Sequence, residues 1–216
     1  MEQQASATEQ HEEPAARPRN RRGEGPRLRE EIVRAALGLI EREGSKEAVT
    51  LRAVAREVGI AAPSIYGHFP DREAIVEAVV LEALARLNRM TEAAKAAEPD
   101  PVDALLAGCA AYVEFGTREP ACYRVVFSTT PHPTEVPACQ GGSRPTGRDA
   151  FMALVRSLEA CVEAGRSTST DPFGDAVALW TALHGQVTLR AALTDFPWPP
   201  TDTVAQLVRR IALITD

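Results

Sequence analysis

Residues 50–72, TLRAVAREVGIAAPSIYGHFPDR, leave this chain few ways to fold. Thr50 has the chemistry of a helix cap, and Leu51, Val54, Ala55 and Val58 follow at the spacing of one buried helical face. Gly59 comes next, where a helix ends and φ turns positive. Ile60 fills the corner behind it. Pro63 stands where a second helix begins, since the first turn needs no N–H from that residue. Ile65 and Phe69, four apart, point back onto the first helix. Pro70 stops the second helix and Asp71 caps a third. So short a helix as the second is not stable alone and has to be braced by its neighbour. That is the logic of a helix-turn-helix, which lays its second helix in a DNA groove.

Turn chemistry and apolar spacing stop at that architecture. The run from Gly59 through Ile75, GIAAPSIYGHFPDREAI, goes further. It resembles the DNA-binding signature of tetracycline-repressor-type (TetR family) regulators. Its most specific part is Tyr66-Gly67-His68-Phe69, followed by a basic residue, Arg72, and the small-apolar pair Ala74-Ile75. The resemblance implies an all-α fold of about nine helices. It divides the chain into an arm over residues 1–26, a three-helix DNA-binding domain over 27–72, and a helical ligand-binding and dimerisation domain over 73–216.

Charge supports a two-part chain. The formal net charge is −6, which alone says nothing for nucleic acid. Residues 1–16 carry four Glu and no Lys or Arg, residues 17–72 carry twelve basic against eight acidic residues, and residues 73–216 carry twelve against eighteen. A basic head on an acidic body is the footprint of a DNA-binding unit joined to one that does not touch DNA. Residues 1–26 are polar and nearly free of large apolar side chains, so they are expected to be disordered. Their end, Arg17-Pro18-Arg19-Asn20-Arg21-Arg22, is a basic arm able to follow phosphates or a minor groove.

Several groups are placed to meet duplex DNA. The helix that starts at Thr50 offers free backbone N–H groups to a phosphate, helped by its dipole. Ala61, Ala62, Pro63 and Ser64 form the groove-facing start of the second helix, and none is Arg, Asn or Gln. Direct base contacts therefore fall mainly to Arg52, with thymine-methyl contacts from the alanines and shape readout supplying the rest. Arg27, at the start of the first helix, is a candidate phosphate contact. The family resemblance adds Tyr66 and His68 as phosphate donors, and Arg72 as a phosphate anchor where relatives usually carry Lys.

The body reads as a series of helices. A long amphipathic one from Asp71 to about Ala94 runs into the break Pro99-Asp100-Pro101, and others follow over 103–118, 121–127, 147–165, 171–193 and 202–214. Residues 128–147, with Pro131, Pro133, Pro137 and Pro145, are expected to form a long loop. Trp180, His184 and Gly185 resemble the Trp-His-Gly step of one C-terminal subgroup of the family. By that resemblance the last two long helices pair with their copies in a homodimer, with Gly185, Leu189, Leu207 and Ile211 at the interface. Tyr112, Phe115, Tyr123, Phe127, Phe151, Met152, Trp180 and His184 are the candidate lining of an effector site, although aromatics at helical spacing are more often plain core. So apolar a lining suits a hydrophobic small molecule.

Other classes find little support. There is no nucleophile elbow, phosphate-cradling glycine loop or metal-spaced His/Cys cluster, so neither enzyme, cofactor nor metal is expected. Cys109, Cys122, Cys139 and Cys161 have no C-x-x-C spacing, and buried thiols are the favoured reading over a redox switch. No apolar run approaches a bilayer span, and a cytoplasmic protein without membrane contact is expected. The function implied is a ligand-responsive regulator, a repressor released from operator DNA by a hydrophobic molecule. The alternative is an orphan or thiol-gated regulator with no small-molecule effector.

Overall fold

The computed structural model describes residues 25–127, 147–199 and 203–215. The Arg17–Arg22 arm, most of the 128–147 loop and Cys139 lie outside them. Among the described residues there are eight α-helices, two short 3-10 helices and no strand. The helices are α1 (Gly25–Glu43), α2 (Leu51–Val58), α3 (Arg72–Ala96), α4 (Pro101–Arg118), α5 (Pro120–Phe127), α6 (Gly147–Glu163), α7 (Pro172–Ala192) and α8 (Thr203–Ile211). The 3-10 segments are Lys46–Ala48, before α2, and Ala62–Gly67, between α2 and α3.

Local chemistry places each boundary. Thr50 Oγ1 accepts from the Ala53 N–H at 3.1 Å, Asp71 Oδ1 from Ala74 at 2.8 Å, and Asp100 Oδ1 from Val102 at 2.8 Å. Gly59 takes φ +75° and ends α2 in the left-handed region, where a Cβ would add strain.

Two apolar cores organise the packing. The first gathers α1, α2 and the Ala62–Gly67 segment around Ile32, Ile40, Val54, Ile65 and Phe69, then continues through Ile75 and Val79 to Phe115, Val125 and Val187. The sequence-based boundary at 72/73 therefore falls at the start of α3, inside one continuous core. The second core joins α4, α6, α7 and α8 through Leu105, Leu158, Leu179, Leu183 and Val208. Tyr112 and Val113 of α4 pack against both cores.

Two contacts tie the head to the body through α5, and a third ties α3 to the α4–α5 junction. Cys122 Sγ lies 3.4 Å from Glu41 Oε1 on α1, Arg124 donates to the Gly44 carbonyl at 3.3 Å, and Arg86 of α3 pairs with Glu119 at 2.7 Å. At the far end, residues 166–168 pair with the chain's last turn, with Ser167 Oγ donating to the Ala212 carbonyl at 2.7 Å.

Candidate nucleic-acid interface

The two apolar faces of α2 and the 3-10 segment decide what is left outside. Val54 and Ala55 are buried, as are Ile65 and Phe69. The opposite edge of the 3-10 segment is open: Ala61, Pro63, Ser64 and Tyr66 are exposed, Tyr66 at 60%, with Ala62 and His68 half-buried. The reading segment winds as a 3-10 helix. It is six residues long, has Pro in its first turn, and Ala61 gives it no side-chain cap, so the tighter i→i+3 winding closes it. The first-turn N–H groups are thereby left without a capping side chain.

On α2, Arg52 is exposed, one residue away from the buried stripe. Arg56 is exposed on the same flank, one turn further on, and sequence reasoning passed it over. Its i, i+4 spacing from Arg52 was the available signal. Among the described residues neither has an ion-pair partner. Glu57 lies on the other flank and is held by Arg42 at 2.8 Å. Arg27 is 70% exposed and pairs with Glu31 at 3.2 Å.

Two arginines tie parts of the head together. The Arg29 guanidinium stacks 4.4 Å above the Phe69 ring, joining α1 to the end of the 3-10 segment. Arg72 sends Nε–H to the Val49 carbonyl and an Nη2–H to the Lys46 carbonyl, both at 2.7 Å, and pairs with Glu73 through Nη1 at 3.2 Å. Its fork is engaged within the chain, at the position where the family resemblance implies a phosphate anchor.

In the body, six of the eight proposed lining residues meet in one aromatic cluster. Ring centroids lie 5.8 Å apart for Tyr112–Tyr123, 4.6 Å for Tyr123–Phe127, 4.9 Å for Phe127–His184 and 6.0 Å for Phe151–Trp180. Hydrogen bonds run through it: Tyr112 Oη to Tyr123 Oη at 2.8 Å, and Tyr123 Oη to His184 Nδ1 at 2.7 Å. Either tyrosine hydroxyl can donate in the first bond, and the His184 tautomer sets the direction of the second. Burial holds His184 below its ordinary value, which favours the neutral ring. Burial also pushes the Tyr112 hydroxyl up to about 12 and Tyr123 higher still, so both keep their protons. The other two proposed residues stand apart. Phe115 is fully buried in the first core, and Met152 is half-buried against the second.

The proposed dimer residues lie along α7 and α8. Leu189 is 50% exposed, while Gly185, Leu207 and Ile211 are half-buried. Phe173, Val177 and Trp180 are also exposed, on a different side of α7 from Leu189. A Cβ on Gly185 would meet nothing closer than Leu189 Cδ1 at 4.0 Å, so nothing within the chain requires glycine there.

Burial and neighbouring carboxylates push the Cys122 thiol up to about 12; burial raises Cys109 to about 12 and Cys161 to about 11. Thiols held this far from the thiolate are poor nucleophiles. Glu41, Glu119 and Cys122 bring three ligand-type atoms within 4.8 Å of one another. With Glu119 paired to Arg86 and the thiol protonated, this group acts as a contact between α1 and α5. No helix among the described residues is long and apolar enough to cross a membrane.

Residues 32–79 match the family described as bacterial regulatory proteins, tetR family, and residues 105–213 match the tetracyclin repressor-like C-terminal domain. The chain is 29% identical over 165 residues to an uncharacterized HTH-type transcriptional regulator, Rv0681, of Mycobacterium tuberculosis, covering 74% of this chain and 69% of that one. Its fold is similar to that of a protein of unknown function from Rhodococcus sp. RHA1, with TM-score 0.68, 22% identity and coverage of 86% and 91%. It is also similar to the TetR family regulator PfmR of Thermus thermophilus, with TM-score 0.56, 20% identity and coverage of 84% and 96%.

Proposed function

The chain belongs to the tetR family of bacterial regulatory proteins, DNA-binding transcriptional regulators rather than enzymes, and on that footing we propose that it is a homodimeric repressor released from operator DNA by a hydrophobic small molecule. The observation that carries the DNA half is the open edge Ala61–Tyr66, set on buried Ile65 and Phe69 beside the exposed Arg52 and Arg56. On this reading Arg52 reads a base, the alanines touch thymine methyls, and the α2 N-terminus, Tyr66 and His68 hold phosphates. Arg27, half-neutralised by Glu31, adds a weaker phosphate contact. Two heads on a twofold axis would then occupy major-groove half-sites about one DNA turn apart. Gly185 and Leu189 of α7, with Leu207 and Ile211 of α8, supply the surface for that pairing.

The aromatic cluster supports the effector half. A hydrophobic molecule entering among Tyr112, Tyr123, Phe127, Phe151, Trp180 and His184 would have to break the hydroxyl chain. Tyr123 sits on α5 between Cys122 and Arg124, whose side chains touch the end of α1. Displacing Tyr123 would therefore move both α5 and the head, and tilting α3 would change the head spacing. The thiol-gated alternative is weakened by the raised values of the three described cysteines.

The test is a linkage titration. Operator DNA and effector must weaken each other by the same factor. Measuring effector affinity with and without saturating operator checks this, and an effector affinity untouched by DNA refutes the gating.

A further inference from the structure

We infer that Arg72 is a positioning residue of the DNA interface: it fixes the N-terminus of α2 and does not itself hold a phosphate. The inference rests on the reading of that N-terminus as a phosphate contact. The Val49 carbonyl that Arg72 holds at 2.7 Å belongs to the peptide whose nitrogen is that of Thr50. Thr50 is the cap of α2 and accepts from Ala53. The second carbonyl, of Lys46, also takes the Val49 N–H at 3.1 Å and closes the 3-10 turn before α2. One planar fork thus grips both ends of the turn that leads into α2. The parallel N–H groups on the Nε edge of a guanidinium suit two carbonyls, and a single ammonium cannot reproduce that pair.

Arg72 is itself well anchored. It opens α3 directly after its cap Asp71, and its remaining nitrogen pairs with Glu73. It therefore sets where the first turn of α2 lies relative to α3. Any displacement of α3 carries the phosphate-facing turn of α2 with it, through two short hydrogen bonds.

The experiment uses the full chain with an operator-containing duplex and the variants Arg72→Ala and Arg72→Lys. Affinity is read across a salt series, at a temperature where circular dichroism shows every variant fully folded. Hydrogen exchange of residues 46–54 is read in parallel. Positioning predicts that Arg72→Lys loses about as much affinity as Arg72→Ala, roughly tenfold or more, the size of a charge-assisted hydrogen bond. Both should keep the wild-type salt slope and exchange faster at the start of α2. A purely structural role would leave affinity unchanged once folding is complete, and that outcome overturns the inference. So does an Arg72→Lys variant with wild-type affinity beside an Arg72→Ala variant whose slope falls by about 0.9 per head, the mark of a lost phosphate contact. A wild-type chain that ignores duplex DNA overturns the parent reading and this one together, whereas the two preceding outcomes overturn this one alone.

Discussion

Replacing Tyr123 by Phe removes one oxygen and cuts the hydroxyl chain in the middle. Tyr123 is 2% exposed, and its hydroxyl bonds both Tyr112, at 2.8 Å, and His184, at 2.7 Å. Without it the Tyr112 hydroxyl and His184 Nδ1 each lose their hydrogen-bond partner. Each buried polar group left unpaired costs about 1–3 kcal/mol. His184 is half-buried and recovers part of this through water, so the sum should be about 2–3 kcal/mol. The ring itself is kept, so no cavity cost adds. For a chain of this size each kcal/mol lowers Tm by about 2–4 °C, so a drop of roughly 4–12 °C is expected. Differential scanning calorimetry measures it, with Tyr66→Phe as control, since that hydroxyl is on a side chain 60% exposed. A Tyr123→Phe variant that melts with the wild type would show that the hydroxyl chain does not hold α5 to α7.

Other outcomes follow from the same geometry. Arg52→Ala should cost about 1–3 kcal/mol of DNA affinity and relax one base position in selected sites, while Tyr66→Phe should weaken all sites alike; an unchanged preferred sequence after Arg52→Ala would remove Arg52 from base readout. Burial lowers His184 below its ordinary 6.5, so the unfolded chain takes the proton first as pH falls. Stability from this group is complete above pH about 6.5 and is lost as pH drops through the lowered value, so His184→Gln should flatten the Tm profile between about pH 7 and 5. A profile as steep as the wild type would assign the loss to other groups. A Cβ at Gly185 meets nothing closer than 4.0 Å, so Gly185→Ala should shift sedimentation from dimer toward monomer while helix content stays the same; a dimer of undiminished affinity would move the interface elsewhere.

The head was legible because its signals are local. Thr50, Gly59 and Asp71 each act within four residues of themselves, and Ile65 and Phe69 bury as their spacing requires. What was hidden depends on contacts distant in the chain. Arg72 reaches carbonyls 23 and 26 residues away, contacts that neither spacing nor the family resemblance signals. Cys122 meets Glu41 across 81 positions, a link between head and body that no periodicity announces. The aromatics of α4 show the same limit: Tyr112 and Phe115 share one apolar face by spacing, yet only Tyr112 joins the ring cluster, while Phe115 is buried in the first core.

The central claim is that Arg52, Arg56 and the edge Ala61–Tyr66 enter the major groove, two copies at a time. Selecting bound duplexes from random DNA with the full chain, at low and at physiological salt, measures this most directly. Enriched sites should carry twofold-related half-sites about one helical turn apart, and binding should weaken steeply as salt rises. Recovery of no duplex even at low salt, or of sites lacking a symmetric partner, would contradict it.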